Sequence, residues 1–482
     1  MALGLGGVLN AIPTADAAQA PVVVVPATGW SPYPQGNVAA GLYVPGAGST
    51  VTRANAIAAV ERGRVTNAVL GGRPGGKRKI VIRTAGSVPS PGIALALPPP
   101  GRHDNNRRYG IRVVAPGWSG ILTSSSTRIP GLVSVTDIAE QARALAEGRD
   151  GPIGTTMGTT ADLQRLDQRL ARAHDYRTGG MAVAVGLLAA LGAVAYLLRA
   201  AFLARVAVLF GLAAVVASLI VSAAGAERVT PVLLGLAGIA LVLALAAAFL
   251  PVTPTVVAGL TALLLVLALD TSVNSFGALG PHPETGTRFY GLSNIEETLL
   301  LAPVLAAASG PWLLPVGALA LVTVGWSHAG ADGGGLLVFA VALGVLWLRR
   351  REVPLTARRL AVVGAGAIVL GLALVGVDAA LGGSSHVTHA VGSGSVFDDI
   401  WNRWHLSGTV VTSSWYKGVL FLAGATGLAW LATRRPRTPA VDAAIVATLV
   451  SLVVNDTPVD VLGIGALSVL ALLAWDRTRA RL

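Results

Sequence analysis

Polar and ionisable side chains interrupt the apolar carboxy-terminal part of this 482-residue chain. Such groups are costly at membrane depth, so they usually mark a binding site or a pathway. The residues that stand out on this ground are Asp270, Arg288, Tyr290, Asn294, Glu296, His328, Asp332, Arg403, His405, Asn455 and Asp456. We predict that they contribute to one ligand-binding site. The alternative is that they are the solvated ends of loops.

Arg288 has the clearest binding chemistry. It lies just before a predicted helix, and a guanidinium beside a helix start is well placed to bind an oxyanion through its planar fork. Arg288 either binds the phosphate or carboxylate of a ligand or pairs with Glu296 inside the chain. The spacing of Ser293 and Glu296 predicts a capping box, with Glu296 and Glu297 at the positive end of the helix dipole.

Two further segments carry weaker signals. The run 330–335 is rich in Gly, which either lets the backbone approach a ligand or forms a flexible turn. The stretch 455–460 predicts a turn, because Pro458 cannot continue a helix. Either segment would bring a carboxylate, Asp332 or Asp456, to the predicted site.

Metal binding is a separate question, raised by the loop 382–415. His386 and His389 have a spacing found in zinc sites, but the loop is rich in Gly and Ser, and no helix fixes that spacing. The chain has no Cys, which excludes disulfides, thiolate metal sites and Cys nucleophiles. We therefore predict neither a metal nor a cofactor.

The elements that must position these residues are membrane spans. Hydrophobic residues make up 53% of the chain and charged residues 12%, and a soluble domain would carry about twice that share of charge. We predict a polytopic all-α membrane bundle of about 11 transmembrane helices, since each span needs about 20 apolar residues. The predicted spans are 180–198, 206–225, 231–250, 255–270, 294–309, 311–327, 334–348, 360–381, 416–433, 441–455 and 460–475.

The distribution of basic residues predicts the orientation of this bundle. With residues 1–178 outside, thirteen Arg residues fall in or after the cytoplasmic ends of spans, and four Arg and Lys residues fall in outer loops. Because Lys and Arg concentrate on the cytoplasmic side, we predict an extracytoplasmic amino-terminal domain and a cytoplasmic carboxy terminus in a bacterial plasma membrane. The net charge of +12 then reflects topology, and we predict no nucleic-acid partner.

Residues 21–150 predict an α/β domain ahead of the spans. Strands are expected at 22–25, 79–83 and 111–115 and helices at 52–62 and 135–147, and this mixture favours a layered α/β fold. The segment 151–178 is expected to be a Gly/Thr-rich linker followed by a polar helix over 161–174, with the transmembrane domain at 179–482. Residues 1–20 are either a degenerate signal segment or the end of a truncated one.

Short motifs in both parts resemble known proteins. The stretch from Pro116 to Ala139, with Ile129-Pro130-Gly131 at its centre, resembles the carboxy-terminal strand–turn–helix of the alkaline phosphatase superfamily. The membrane part resembles little-characterised bacterial multi-pass proteins fused to such a domain, which carry Arg-Phe-Tyr-Gly-x-x-Asn and a late Asn-Asp-Ser/Thr turn, here 288–294 and 455–457. Ser293 and Ile295 depart from the Gly and the acidic residue common in relatives.

The resemblance implies two metal ions held by several Asp and His, with an Asp on the first strand and a Ser or Thr nucleophile. The predicted first strand has no acid, and the domain offers one His and few Asp. We therefore predict a catalytically inactive domain. The enzymatic alternative would rest on Ser49, Thr50, His103 and Asp104.

Three functions are compatible with these observations. The leading hypothesis is that an outer-face polar cavity handles an anionic cell-envelope intermediate, such as a lipid-linked or phosphate-bearing glycan, with membrane lipids as the other partner. The alternatives are a secondary transporter of a small anion or proton-coupled solute, with Asp270, Glu296 and Asp456 as coupling sites, and a non-catalytic envelope scaffold or sensor. Whether the membrane domain is an enzyme, such as a transferase, is left open by the sequence, as is the oligomeric state.

Overall fold

A computed structural model describes residues 22–24, 36–48, 50–65, 77–84, 87–286, 288–380, 404–405, 407–435 and 437–479. The chain divides into two compact units, one formed by Met1–Ala68 with Gly72–Arg165 and the other by Val69–Gly71 with Leu166–Leu482. The expected signal segment 1–20 lies outside the described residues, as do Ser49 and Arg403 and the histidines at 386 and 389.

The first unit is an α/β domain, as predicted. Its elements are β1 (Val22–Val24), β2 (Val38–Tyr43), β3 (Thr50–Thr52), α1 (Arg53–Arg62), β4 (Ile82–Thr84), β5 (Gly92–Leu95), β6 (Arg102–Asp104), β7 (Tyr109–Val114), β8 (Gly120–Ser124), β9 (Leu132–Val133), α2 (Val135–Glu147) and β10 (Ile153–Thr156).

The main sheet of this unit is mixed. Its strands run in the order β10-β8-β2-β7-β5-β1-β4, and β9 pairs with β2. The β1 strand is parallel to β4 and β5, whereas β7 is antiparallel to both β5 and β2. Ile93, Leu95, Ile111 and Val113 are fully buried in a core that also includes residues of α1 and α2. Alternate strand residues point to one face, and the apolar ones supply this core.

One prediction for this unit is wrong. Residues 151–160 were expected to be a linker, but Ile153–Thr156 form an edge strand, β10, antiparallel to β8. The Ile153 amide also donates to Gln141 Oε1 at 2.9 Å. The strand was not predicted because its residues, Ile-Gly-Thr-Thr, show no alternation of apolar and polar side chains. Backbone hydrogen bonds to the neighbouring strand β8 stabilise it instead.

The second unit is helical. Its helices are α3 (Thr160–Leu198), α4 (Ala201–Ala223), α5 (Val229–Ala247), α6 (Val252–Leu269), α7 (Thr271–Ser275), α8 (Asn294–Ala307), α9 (Leu313–Gly325), α10 (Gly333–Arg350), α11 (Ala357–Ala380), α12 (Trp415–Thr433), α13 (Pro439–Val454) and α14 (Pro458–Arg479). The expected polar helix 161–174 and the first span 180–198 are therefore one continuous helix, because no Pro separates them.

Within the described residues, seven helices are long and apolar enough to cross a membrane: α3, α4, α5, α6, α10, α11 and α14. Two apolar helices are shorter, Gly310–Gly325 and Pro439–Val454. These features are consistent with a multi-pass membrane protein. Each predicted span overlaps a helix. The count of eleven spans stays a prediction, because α8 and α12 belong neither to the seven long apolar helices nor to the two shorter ones.

Candidate functional site

Three segments that connect longer helices meet at one end of the helical unit. They are the stretch between α6 and α8 (270–293), the link between α9 and α10 (326–332) and the turn between α13 and α14 (455–457). The Leu292 amide donates to the Gly330 carbonyl at 2.8 Å, which joins the first two segments. The Asn294 side chain donates to Thr457 Oγ1 at 3.0 Å and Asp456 Oδ1 at 3.3 Å, which ties the third to the start of α8.

Close packing explains the glycines in these segments. Gly291 has a φ of +88°, and a Cβ there would overlap the Gly330 carbonyl. Gly335 faces the Glu297 carboxyl so closely that a Cβ would overlap it. The Gly run therefore lets neighbouring backbone and side chains approach within the chain.

An ion pair forms the centre of the site. Arg288 Nη1 lies 2.5 Å from Asp332 Oδ2, and Arg288 also donates to the Leu292 carbonyl. Asp332 caps α10, its Oδ1 accepting from the Gly334 amide at 2.7 Å and the Gly335 amide at 3.0 Å. Burial tends to raise the pKa of Asp332, but Arg288 outweighs it and holds the pKa well below its usual range.

The sequence left open whether Arg288 pairs with an acid of α8 or binds a ligand. In the structure Arg288 forms its ion pair with Asp332, 44 positions along the chain, and not with Glu296 or Glu297. Of the two alternatives left open by the sequence, the Arg288–Glu296 pair is therefore wrong. Glu296 is committed elsewhere: its Oε2 accepts from the Ser293 amide and the Asn274 side chain, both at 2.9 Å.

The capping box at the start of α8 is confirmed. Ser293 Oγ accepts from the Glu296 amide at 3.1 Å, and the Glu296 side chain reaches back to the Ser293 amide. This motif points Glu296 inward and leaves Glu297 on the neighbouring face of the first turn, beside Asp332.

Glu297 has the least satisfied carboxyl in this region. It is 3% exposed, and neither Oε atom accepts a hydrogen bond from a described residue. From the sequence, Glu297 was expected at the positive end of the helix dipole and was not among the predicted ligand residues. The sequence could have indicated Glu297 as a site residue, because two consecutive acids at the start of an apolar helix cannot both serve one cap.

A second buried ion pair fixes the segment before α8. Arg177, on α3, donates to the Ser275 carbonyl at 2.6 Å and to the Gly280 carbonyl at 2.8 Å, and its Nε lies 3.4 Å from Glu284 Oε1. His282 Nδ1 also lies 3.0 Å from that oxygen. Burial acts to raise the pKa of Glu284, but Arg177 and then His282 outweigh it and lower the pKa to about 2. Sequence reasoning assigned no role to Arg177 or Glu284.

The predicted site residues separate into two groups. Arg288, Asn294, Glu296, Asp332 and Asp456 come together through the contacts above. Tyr290 and Asn455 are both buried, and they lie close in the chain to Arg288 and Asp456. The Asn455 side chain donates to Ser451 Oγ at 2.7 Å, and its Oδ1 faces Gly334.

The remaining predicted residues lie apart or outside the description. Asp270 is exposed and caps α7 through Ser272, His328 is exposed beside Ser327, and His405 is exposed near α12. Arg403 lies outside the described residues. Among the described residues, no hydrogen bond or ion pair joins Asp270, His328 or His405 to the Arg288 cluster, so their place in this site stays a prediction.

No metal centre is visible in the described parts of either unit, where no group of three or more His, Asp or Glu is arranged to hold an ion. In the first unit, Thr50 pairs with Asp104 and Val51 with His103 across β3 and β6. The ring Nε2 of His103 lies 2.9 Å from the Pro100 carbonyl. This proximity of Thr50, His103 and Asp104 follows from a two-stranded ladder of three residue pairs between β3 and β6.

The start of α8 does not reach as far as the end of the neighbouring helix α6. Helix α8 has 14 residues and is about 21 Å long, whereas α6 has 18 residues and is about 27 Å long. Thr253 Oγ1 donates to the Ala307 carbonyl at 3.0 Å, so α6 begins at the level where α8 ends. The start of α8, with Glu296 and Glu297, is therefore recessed relative to the far end of α6.

Comparison with known proteins adds no relative: no family model matches the chain, and neither a curated protein nor a solved structure is significantly similar to it. The chemistry of this recessed cluster is therefore the basis for assigning a function.

Proposed function

We propose that the protein is a proton-coupled secondary transporter of the membrane and that Glu297 is the residue that binds and releases the proton. The observation that carries this proposal is the buried Glu297 carboxyl, which accepts no hydrogen bond from a described residue and lies beside Asp332. Two adjacent carboxylates do not ionise together easily in a buried site, so a proton on Glu297 relieves their repulsion.

The charge balance of the cluster favours a proton over an anion. Arg288 supplies one positive charge, and Asp332, Glu297 and Asp456 all act on it electrostatically. With Asp332 already bound to Arg288, an incoming anion would have to displace a buried carboxylate. A proton needs no such displacement.

The backbone around the cluster supports transport. Secondary transporters commonly bind substrate and coupling ion where helices are interrupted, because unwound backbone presents free polar groups. The segments 270–293, 326–332 and 455–457 connect successive helices around the start of α8, and they place non-helical backbone beside the cluster. A substrate that enters here would contact the same residues as the proton, which is the requirement for coupling. An internal repeat, also expected of many transporters, is not evident in the sequence.

We further propose the finer topology expected from the sequence: eleven spans in a bacterial plasma membrane, with residues 1–178 outside and the carboxy terminus in the cytoplasm. The bias of Arg toward one set of helix ends supports this orientation. The site then opens toward the outer side. The hypothesis that it handles an anionic envelope intermediate stays a prediction and depends on freeing Arg288 from Asp332.

The proposal is tested by comparing wild-type protein with Glu297→Gln, which keeps the shape of the side chain and removes its titration. Glu352→Gln is the matched control, because Glu352 is exposed beyond the opposite end of α10. Proteoliposomes loaded with a pH-sensitive dye are exposed in turn to a panel of small carboxylic acids, amino acids and sugars. We expect at least one solute to change the internal pH with wild type and Glu352→Gln but not with Glu297→Gln.

Infrared difference spectroscopy during a pH titration provides the second readout, which needs no substrate. We expect a carboxyl C=O band that appears on acidification in the wild type and is missing in Glu297→Gln. If the two proteins give the same carboxyl bands, Glu297 does not exchange a proton and the proposal is wrong.

A further inference from the structure

Two adjoining cavities lie at the end of the helical unit opposite the Arg288 site. The smaller has a volume of about 140 Å³ and reaches Arg350 at the end of α10, and the larger has a volume of about 540 Å³ and reaches Arg205 on α4. Both are lined by Ala306, Ser309 and Trp475, so they meet at the end of α8. Neither belongs to the site proposed for the proton.

Two guanidinium groups are directed to these cavities. Arg350 Nη1 is buried and has no hydrogen-bond partner among the described residues. Arg205 donates one bond, from Nη2 to the Leu250 carbonyl at 2.8 Å, which leaves other donors of its planar fork for a ligand. A buried donor without a partner is costly, so Arg350 favours an acceptor in the smaller cavity.

The acid Asp476 also lines the smaller cavity, but its carboxylate already accepts a hydrogen bond. Asp476 Oδ2 accepts from Thr438 Oγ1 at 2.5 Å. The nearby buried acid Asp442 is held by Arg349 and Arg437, both with Nε at 2.7 Å from a carboxylate oxygen. Arg350 is thus the member of the Arg349–Arg351 run that faces a cavity, since Arg351 lies over the Trp347 ring.

The wall of the larger cavity continues into an exposed apolar surface. Trp312 lines the cavity with 48% of its surface exposed, and Leu314, two residues further along the chain, is 80% exposed. Phe249 and Leu250, beside the lining residues Pro251 and Val252, are 77% and 55% exposed. Tryptophan at the end of apolar helices is typical of the membrane interface, and exposed Phe and Leu there face acyl chains.

We propose that these adjoining cavities bind an anionic phospholipid, with its headgroup in the cavities that Arg350 and Arg205 line and an acyl chain along Phe249, Leu250 and Leu314. Basic pockets between helices at the cytoplasmic face are suited to such headgroups. A free phosphate shares the headgroup chemistry, but it makes no use of the exposed apolar surface that continues from the cavity. A lipid uses both, so a lipid is the occupant to which the proposal commits.

The test measures lipid retention by the full chain. Protein purified in detergent is exchanged into mixed micelles with phosphatidylglycerol or with phosphatidylcholine, and bound lipid is counted by native mass spectrometry. We expect retention of phosphatidylglycerol over phosphatidylcholine, and a loss of about fivefold in phosphatidylglycerol affinity for Arg350→Gln and for Arg205→Gln, on the scale of one basic residue near a membrane surface. Arg351→Gln, next to Arg350 but over Trp347, should retain the wild-type affinity.

Folding of each variant is checked by its melting temperature and gel-filtration profile, and the neutral Arg350→Met replaces Arg350→Gln if the latter does not fold. Equal affinity of both Gln variants and wild type would overturn the proposal, as would an equal loss in Arg351→Gln. Displacement of the lipid by millimolar inorganic phosphate, with the same dependence on Arg350, would show a free-phosphate site and overturn the lipid assignment.

Discussion

At the scale of single residues, the Arg288–Asp332 pair connects the segments 270–293 and 326–332. Removing one member of a buried pair leaves the other charge without compensation. We expect Arg288→Ala to lower the free energy of unfolding by about 3 kcal/mol, because Asp332 then remains buried and unpaired. The double variant Arg288→Met with Asp332→Asn should recover part of this loss. Unfolding in detergent by heat or denaturant measures both.

Arg288→Lys separates the two roles considered for this residue. A lysine preserves the charge but not the planar fork, so a structural pair survives in part while recognition of an anion is lost. Normal stability with altered composition of the cell-envelope polymers would favour the anionic-ligand hypothesis. Wild-type function in a stable Arg288→Ala variant would remove Arg288 from the site.

Glu284 gives a prediction of pH dependence. Its pKa falls from an ordinary value of 4.5 to about 2 in the folded chain. A lowered pKa contributes stability that is fully present above 4.5 and is lost as the pH falls toward about 2, a contribution of roughly 3 kcal/mol. We expect the stability difference between wild type and Glu284→Gln to be constant near neutral pH and to shrink across this window.

The measurement is the melting temperature of the purified chain at a series of acidic pH values, with Glu352→Gln as the control. Because Glu352 is exposed, its replacement should leave the pH profile of the wild type unchanged. A Glu284→Gln profile parallel to the wild type at every pH would contradict the assigned ion pair with Arg177.

At the scale of elements, close contact between α4 and α8 positions the proton site. A Cβ at Gly211 of α4 would overlap the carbonyl oxygen of Leu299 in α8, which is backbone and cannot move aside. We expect Gly211→Ala to destabilise the protein by about 1–3 kcal/mol through overpacking, despite the better helix propensity of Ala. Circular dichroism melting of the purified variant checks this.

Gly238 supplies the matched control. It lies within the apolar helix α5, and nothing stands within 4 Å of a Cβ built there. Gly238→Ala should be neutral or slightly stabilising, because Ala favours the helix and meets no obstacle. Similar losses in both variants would show that propensity or lipid exposure, and not the α4–α8 contact, sets the effect.

At the scale of the whole molecule, the proposed topology is accessible to protease. In intact spheroplasts we expect external protease to remove a tag placed at the amino-terminal end and to leave a tag after Arg479 untouched, because the Arg-rich ends are proposed to be cytoplasmic. Detergent permeabilisation, which should expose both tags, is the control. Protection of both tags in intact spheroplasts would overturn the orientation and the outward opening of the site.

The sequence alone determined the features that depend on neighbouring residues. Helix α2 has the predicted bounds, because the capping Ser134 and the terminating Gly148 lie beside it in the chain. The Ser293–Glu296 capping box formed as its spacing predicted. The apolar runs located the helices of the second unit, because burial and lipid exposure both demand such runs regardless of the partner.

Tertiary structure decided the pairing of charged and polar side chains. Arg288 pairs with Asp332, Arg177 with Glu284, and Asn294 with Asp456, over separations of 44, 107 and 162 positions. Helix packing and the course of each connecting segment determine which acid meets which base. Neither can be predicted from composition and spacing. For the same reason Glu297 was recognisable as an acid at a helix start, but its position beside Asp332 and Gly335 depended on the arrival of another helix.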